Sequence, residues 1–264
     1  MDQNLDALPS TSLGRALDIF SLFSLARPMI RVEDVMESFG YSQSTAYRYV
    51  KELCDTGLLS PSSNASYALG PRIIELERLL VLTDPLYLAG QEVLPPLQRD
   101  DAVLLLHNLY RDKVLCVLNV GPHTLHHGGR RITVGRARGL PFSLFSGAGS
   151  LALLAFLPQP YIRQAYLQHG REIAQAGLGE DWNAYRKKLA AIRRAGYAVS
   201  LGQVTPWLAG IAAPILLPAE KRVIGSVALA FPLERLDRQR EAESAAELAS
   251  ISSRLAEAYL RRTR

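Results

Sequence analysis

YSQSTAYRYVKELCDTGLL, residues 41–59, decides how the front of this chain is read. It opens on hydroxyls and a glutamine, passes through Tyr-Arg-Tyr and closes on Gly-Leu-Leu. The spacing predicts a helix with Ser42 as its N-cap and Gly57 as its stop. Its apolar face is Ala46, Tyr49 or Val50, Leu53 and Cys54. Ser44, Tyr47, Arg48 and Lys51 recur at i, i+3, i+4 and i+7, so they share the opposite face. Alone, such a face reads as a solvated one. The flanking sequence gives it another use.

Upstream, SLGRALDIFSLFSLA (12–26) carries a helical stripe of Leu13, Ala16, Leu17, Phe20 and Phe23, with Ser12 as its expected N-cap. Pro28 breaks the chain. VEDVMESF (32–39) forms a second helix with Val32, Val35, Met36 and Phe39 on one face, ended by Gly40. Downstream, residues 58–61 and 66–69 are extended and joined by Ser62-Ser63-Asn64-Ala65, the pattern of a small hairpin. Three helices, a glycine turn and a hairpin make a winged helix-turn-helix. In that fold the third helix enters the major groove with its N-terminal side chains at the base edges. Gln43 and Ser44 have the length to reach bases, Arg48 a guanine edge or a phosphate, and Lys51 a phosphate. Thr45 and the first backbone amides suit another phosphate. The wing tip holds no Lys or Arg.

PRIIELERLLVL continues as a helix, and Thr83-Asp84-Pro85 caps a second one that runs to Leu94, before Pro95-Pro96. From residue 102 the period changes. AVLLLHNL and VLCVLNV read as paired strands and HTLHHGGRR as a loop. FSGAGSLALLAFLP reads as a glycine turn and a helix from Ala148 to Leu157, with another helix after Pro160. Trp182 to Ala195 is amphipathic, and YAVSLGQV, LAGIAAPILL and RVIGSVALAF are strands, the last two joined across residues 218–221. A helix from Leu236 to Arg262 closes the chain. Hairpin-linked strands with intervening helices predict an α+β domain with an antiparallel sheet.

SLGRALDIFSLF, VEDVMESFG, QSTAYRYVKEL, GLL before the wing and YALGPRIIEL after it resemble the N-terminal half of IclR-type transcriptional regulators. RRAGYAV, IAAPI, RVIGSVALAFPLERL and SLFSGAGSLALLAFLP resemble that family's GAF-like effector domain. The resemblance covers about residues 12–260. It implies a winged helix-turn-helix over 1–70, a helical linker and dimerisation segment over 71–97, and an effector-binding domain over 98–264. It places Ser44, Thr45, Tyr47, Arg48 and Lys51 at the DNA, and Gln43 where family members often carry a basic residue. It also implies a homodimer or homotetramer on double-stranded operator DNA. Within the effector domain, Gly147, Ala148, Gly149, Ser150, Trp207, Ala212 and Ala213 are the expected pocket residues. Leu151 stands where Lys or Arg is common, Ala228 and Ala230 where serine is, and Ser200-Leu201-Gly202-Gln203 where acidic residues are. Each change removes polarity, which points to an apolar or aromatic effector, or to a site that binds none.

Composition sets the remaining bounds. The chain of 264 residues is 48% hydrophobic and 21% charged, enough to bury a core. Residues 1–83 hold seven Lys and Arg against ten Asp and Glu, and the remainder 23 against 15, so the net charge of +5 resides in the second half. DNA binding by the front must rest on local charge. That acidic balance favours the alternative, a small-molecule enzyme or sensor whose front domain binds protein. No apolar run spans a bilayer, and MDQNLDALPSTS lacks a signal peptide's basic start and apolar middle, so a cytoplasmic protein is expected. Cys54 and Cys116 read as buried thiols. GAGSLA (147–152) satisfies G-x-G-x-x-A but lies outside any βαβ unit, so a tight turn is the simpler reading. His123, His126 and His127 lack further ligands for a metal. No cofactor, metal or catalytic group is expected, and the chain reads as a regulator whose operator affinity a small molecule modulates.

Overall fold

The computed structural model describes residues 11–135, 138–220 and 222–263. Its contacts divide into two compact units, Met1–Thr83 and Asp84–Arg264. The first contains α1 (Ser12–Asp18), β1 (Met29–Arg31), α2 (Val32–Phe39), α3 (Gln43–Asp55), β2 (Leu59–Pro61), β3 (Ser66–Leu69) and α4 (Pro71–Thr83). Ile19, Ile30, Val35, Ala46, Tyr49, Val50, Leu53 and Leu59 form its core. Gly40 ends α2 with φ of 66°, a conformation a side chain would strain, and turns the chain sharply into α3.

Three expectations for this unit change. The cap of α1 is Thr11, whose Oγ1 accepts from the Gly14 amide at 3.1 Å, while the Ser12 hydroxyl lies 3.2 Å from the Tyr49 phenol. The stripe turns as well. After Asp18 the helix tightens into a 3-10 turn over Ile19–Leu22, burying Ala16 and Ile19 and leaving Leu13 and Leu17 exposed. Finally, the hairpin gains a third strand. β1 pairs with β3 from Met29↔Ala68 to Arg31↔Ser66, giving the sheet order β1-β3-β2.

The second unit comprises α5 (Pro85–Val93), β4 (Val103–Tyr110), β5 (Lys113–Val120), β6 (Thr124–His127), β7 (Arg130–Thr133), β8 (Pro141–Ser143), α6 (Ala148–Ala155), α7 (Gln159–Gln175), α8 (Trp182–Ala195), β9 (Ala198–Leu201), β10 (Leu208–Leu217), β11 (Arg222–Pro232) and α9 (Arg238–Thr263). Six strands form one antiparallel sheet in the order β8-β5-β4-β11-β10-β9. Alternate residues serve opposite faces. Val103, Leu105, Ala212, Ala228 and Ala230 pack with α6, α7 and α8. Leu104, Leu106, Ile211, Ala213, Val227, Leu229 and Phe231 pack with α5 and α9.

HTLHHGGRR, expected as a loop, belongs to the β6–β7 hairpin, turned by Gly128 and Gly129, both with positive φ. The two helices expected as one linker fall in different units. α4 belongs with the first, whereas α5 packs on the large sheet, started by Asp84, whose Oδ1 accepts from the Tyr87 amide at 2.6 Å. Of the expected connection over 218–221, Lys221 lies outside the described residues. No helix among the described residues is long and apolar enough to cross a membrane.

Candidate functional site

Two features, one in each unit, gather residues expected at the sites. The first is the outer face of α3. Packing of Ala46, Tyr49, Val50 and Leu53 into the core turns Gln43, Ser44, Tyr47, Arg48 and Lys51 outward, all exposed, with Thr45 half-buried beside them. Ser42 organises the helix start: its Oγ accepts from the Thr45 amide at 3.4 Å, donates to Thr45 Oγ1 at 2.9 Å and lies 3.2 Å from Ser44 Oγ. Arg48 leans over the Tyr49 ring, 5.2 Å from its centroid. The Ser12 hydrogen bond, helped by the Arg48 charge, holds the Tyr49 phenol below its ordinary value. Among the described residues neither Arg48 nor Lys51 forms an ion pair, so both cations face outward unneutralised.

The second feature is a cavity of about 50 Å³ between the large sheet and the start of α6. Leu105, His107, Leu208, Gly210, Ala228 and Ala230 of the sheet form one wall, Ala148 and Gly149 another, and Ser200, Gln203, Val204 and Thr205 the rim. Among the described residues no charged side chain lines it. The positions of Ala228 and Ala230 bring two methyl groups to the wall where serine hydroxyls would supply hydrogen bonds. Gly149 is required by close approach: a Cβ there would lie 2.4 Å from His107 Nδ1. Ser226 ties the layers together, donating to the Gly149 carbonyl at 2.8 Å with His107 Nδ1 at 3.3 Å.

Of the seven expected pocket residues, Ala148 and Gly149 line this cavity. Gly147 caps α6, and Ser150 is buried with its hydroxyl on the Ser143 carbonyl at 2.7 Å. Ala212 lies in the core on the cavity's side of the sheet, and Ala213 points to the opposite side because neighbouring strand residues alternate. Trp207 stands outside the cavity wall, between Thr205 and Leu208, with its ring 3.9 Å from the Arg130 guanidinium carbon. Its φ of 69° is unusual for a bulky residue and turns the chain into β10. His107, Leu105, Thr205 and Leu208 carried no signal in the sequence. Ser200 and Gln203 carried one, as departures from an acidic family pattern.

The G-x-G-x-x-A segment opens a helix against an antiparallel sheet, which removes the βαβ setting of a dinucleotide site. Among the described residues no group of His, Cys, Asp and Glu converges as a metal site.

Residues 12–62 match the IclR helix-turn-helix domain, and residues 126–257 match the bacterial transcriptional regulator IclR C-terminal domain. The chain belongs to the IclR family. It is a transcriptional regulator with a helix-turn-helix DNA-binding domain and a C-terminal effector domain. It is 24% identical over 225 residues to the HTH-type transcriptional regulator KipR of Bacillus subtilis, covering 82% of this chain and 84% of that one. An IclR regulator from Silicibacter sp. shares the fold with a TM-score of 0.76 at 23% identity, covering 94% of this chain and 96% of that one. An IclR homolog from Microbacterium hydrocarbonoxydans, solved in complex with 4-hydroxybenzoate, does so with a TM-score of 0.63 at 20% identity, covering 95% and 100%.

Proposed function

We propose that this IclR-type regulator reads operator DNA with the exposed face of α3 and that a small apolar or aromatic molecule in the C-terminal cavity modulates its affinity. The observation that carries the first half is the pair of unneutralised cations, Arg48 and Lys51, on the helix that the fold presents to a major groove. Gln43, Ser44 and Tyr47 supply the neighbouring base-edge and backbone contacts, and Thr45 at the helix start suits a phosphate. Local charge thereby offsets the acidic balance of residues 1–83. The exposed Ile74, Leu76, Leu79, Leu80 and Leu82 of α4 support a homo-oligomer, since such a row is normally covered by a second chain.

For the effector, the uncharged lining and the alanines at 228 and 230 favour an apolar or aromatic molecule, and the ring of the 4-hydroxybenzoate bound by a relative fits that class, its carboxylate here left toward solvent at the open mouth. A cavity of about 50 Å³ is too small to enclose a ring, so an enclosed effector would select an arrangement in which the rim residues 203–205 stand further from Ala148. An effector that binds that arrangement better than the closed one shifts the population, and only such a difference can change DNA affinity.

The test is a gel shift on DNA flanking the protein's own gene at two salt concentrations, with and without 4-hydroxybenzoate. A selective, salt-sensitive shift that 4-hydroxybenzoate alters is expected. Binding indifferent to salt would sink the α3 assignment, and no response to a broad panel of aromatic acids would sink the effector class.

A further inference from the structure

The large sheet splits at one end. β4 and β11 are paired from Val103↔Ala230 to His107↔Ser226 and no further, although β4 continues to Tyr110 and β11 begins at Arg222. The cause lies in their other ladders. β4–β5 slips register between Leu106 and His107, and β10–β11 between Ile215 and Leu216, opposite Gly225 and Val223. The extra residues are Val117 on β5 and Ile224 on β11; a bulge bends the strand that carries it, so β11 parts from β4 beyond the His107↔Ser226 pair. Val223 and Ile224, as neighbouring strand residues, face different layers, one packed with α6 to α8 and the other with α5 and α9.

The split leaves a cleft of about 310 Å³ that shares no lining residue with the cavity beside Gly149. Its walls are branched aliphatics: Leu86 of α5, Leu109 of β4, Leu153 and Leu157 at the end of α6, and Val223 and Ile224 of β11. Asp84, Asn108, Arg222 and Tyr259 form the polar rim. Among the described residues, one rim anion stands with one rim cation, and both are engaged: Asp84 caps α5, and Arg222 holds Glu220 at 2.7 Å. Asn108 Oδ1 accepts from the Leu109 amide at 2.7 Å, so the side chain closes the freed strand edge.

We propose that this cleft is a second small-molecule site, for an uncharged aliphatic molecule with a single hydroxyl or carbonyl. The six aliphatic walls match such a body. The charge-balanced rim gives neither a carboxylate nor an ammonium group a partner for its lost hydration, whereas Asn108 and Tyr259 can exchange hydrogen bonds with a neutral head. The site is independent of what occupies the first cavity and of how the protein meets DNA.

n-Hexanol and hexanoate, titrated separately into the methyl-labelled full-length protein, test it by NMR. n-Hexanol is expected to shift the methyl signals of Leu109, Leu153 and Ile224 saturably while Leu105 and Leu208, at the first cavity, stay put. Hexanoate is expected to bind at least about tenfold more weakly, which is about 1.4 kcal/mol. Ile224→Phe, which fills the cleft, is expected to abolish the hexanol shifts with little change in unfolding temperature; should that variant not fold, Leu109→Phe fills the cleft from the opposite wall. Shifts that grow linearly without saturating, or that centre on Leu105 and Leu208, would overturn the site. Hexanoate binding as tightly as hexanol would overturn the neutral-ligand assignment.

Discussion

α3 and the C-terminal cavity place polar residues in opposite ways. On α3 the apolar side chains go inward and every group that could meet a partner is outside, on one helix of the smaller unit. At the cavity the groups that could meet a partner are inside, drawn from β4, β9, β10, β11, α6 and the 203–205 segment, and most are methyls. On an exposed helix, two cations at one face concentrate positive charge locally within a net acidic domain. Recognition in a pocket has less reserve, since each hydroxyl missing from its wall is a hydrogen bond the protein does not offer the ligand.

The sharpest way to break the comparison is to remove one side independently. Ile19→Ala empties a fully buried position in the smaller core and is expected to cost about 2–5 kcal/mol. DNA binding should disappear while effector binding by the C-terminal unit persists in calorimetry; loss of both would mean the units fold as one. Arg48→Ala is expected to weaken specific DNA binding by roughly 1–3 kcal/mol, read by fluorescence anisotropy. Unchanged affinity would remove Arg48 from the contact. Ser42→Ala deletes the α3 cap and should lower stability in chemical denaturation by about 1 kcal/mol.

Ala230→Ser tests the cavity from the other direction. Restoring a hydroxyl on its wall is expected to tighten 4-hydroxybenzoate binding by roughly 0.5–1.5 kcal/mol in calorimetry. No gain would indicate that residue 230 does not meet the ligand. The smallest effect concerns Glu92, which accepts from Arg262 at 2.5 Å and from Arg261 at 2.6 Å, holding its carboxyl below the ordinary glutamate range. A depressed folded value stabilises above the unfolded one and is lost as pH falls through it. Glu92→Gln should therefore unfold slightly below wild type near neutrality and converge with it in acid. A difference that widened in acid would reverse that assignment.

Elements with local causes were legible in the sequence. Gly40, Gly57, Asp84-Pro85 and the long apolar runs of β4, β10 and β11 act within a few residues, and the structure has them where the spacing predicted. β1 was not legible, because three residues become a strand only by pairing with β3, 39 positions away at Met29↔Ala68 and 35 at Arg31↔Ser66. The cavity was half legible for the same reason. Ala148 and Gly149 sit in a recognisable turn, but His107 and Leu105 reach it through strand order. Naming both Ala212 and Ala213 overlooked strand parity, which sends adjacent residues to opposite faces.

Trp207 has an optical consequence. The chain contains two tryptophans. Trp182 sits among Tyr166 and Tyr185, within the aromatic packing of α7 and α8. Trp207 is half exposed, stacked on Arg130 and two residues from the Thr205 rim. A rearrangement of residues 203–205 that carries Trp207 with it would change that indole's distance to a cation and its exposure, while Trp182 is packed in a different layer. With Trp182 replaced by Phe, the intrinsic emission of the protein becomes a single-site gauge of the cavity mouth, with no label attached.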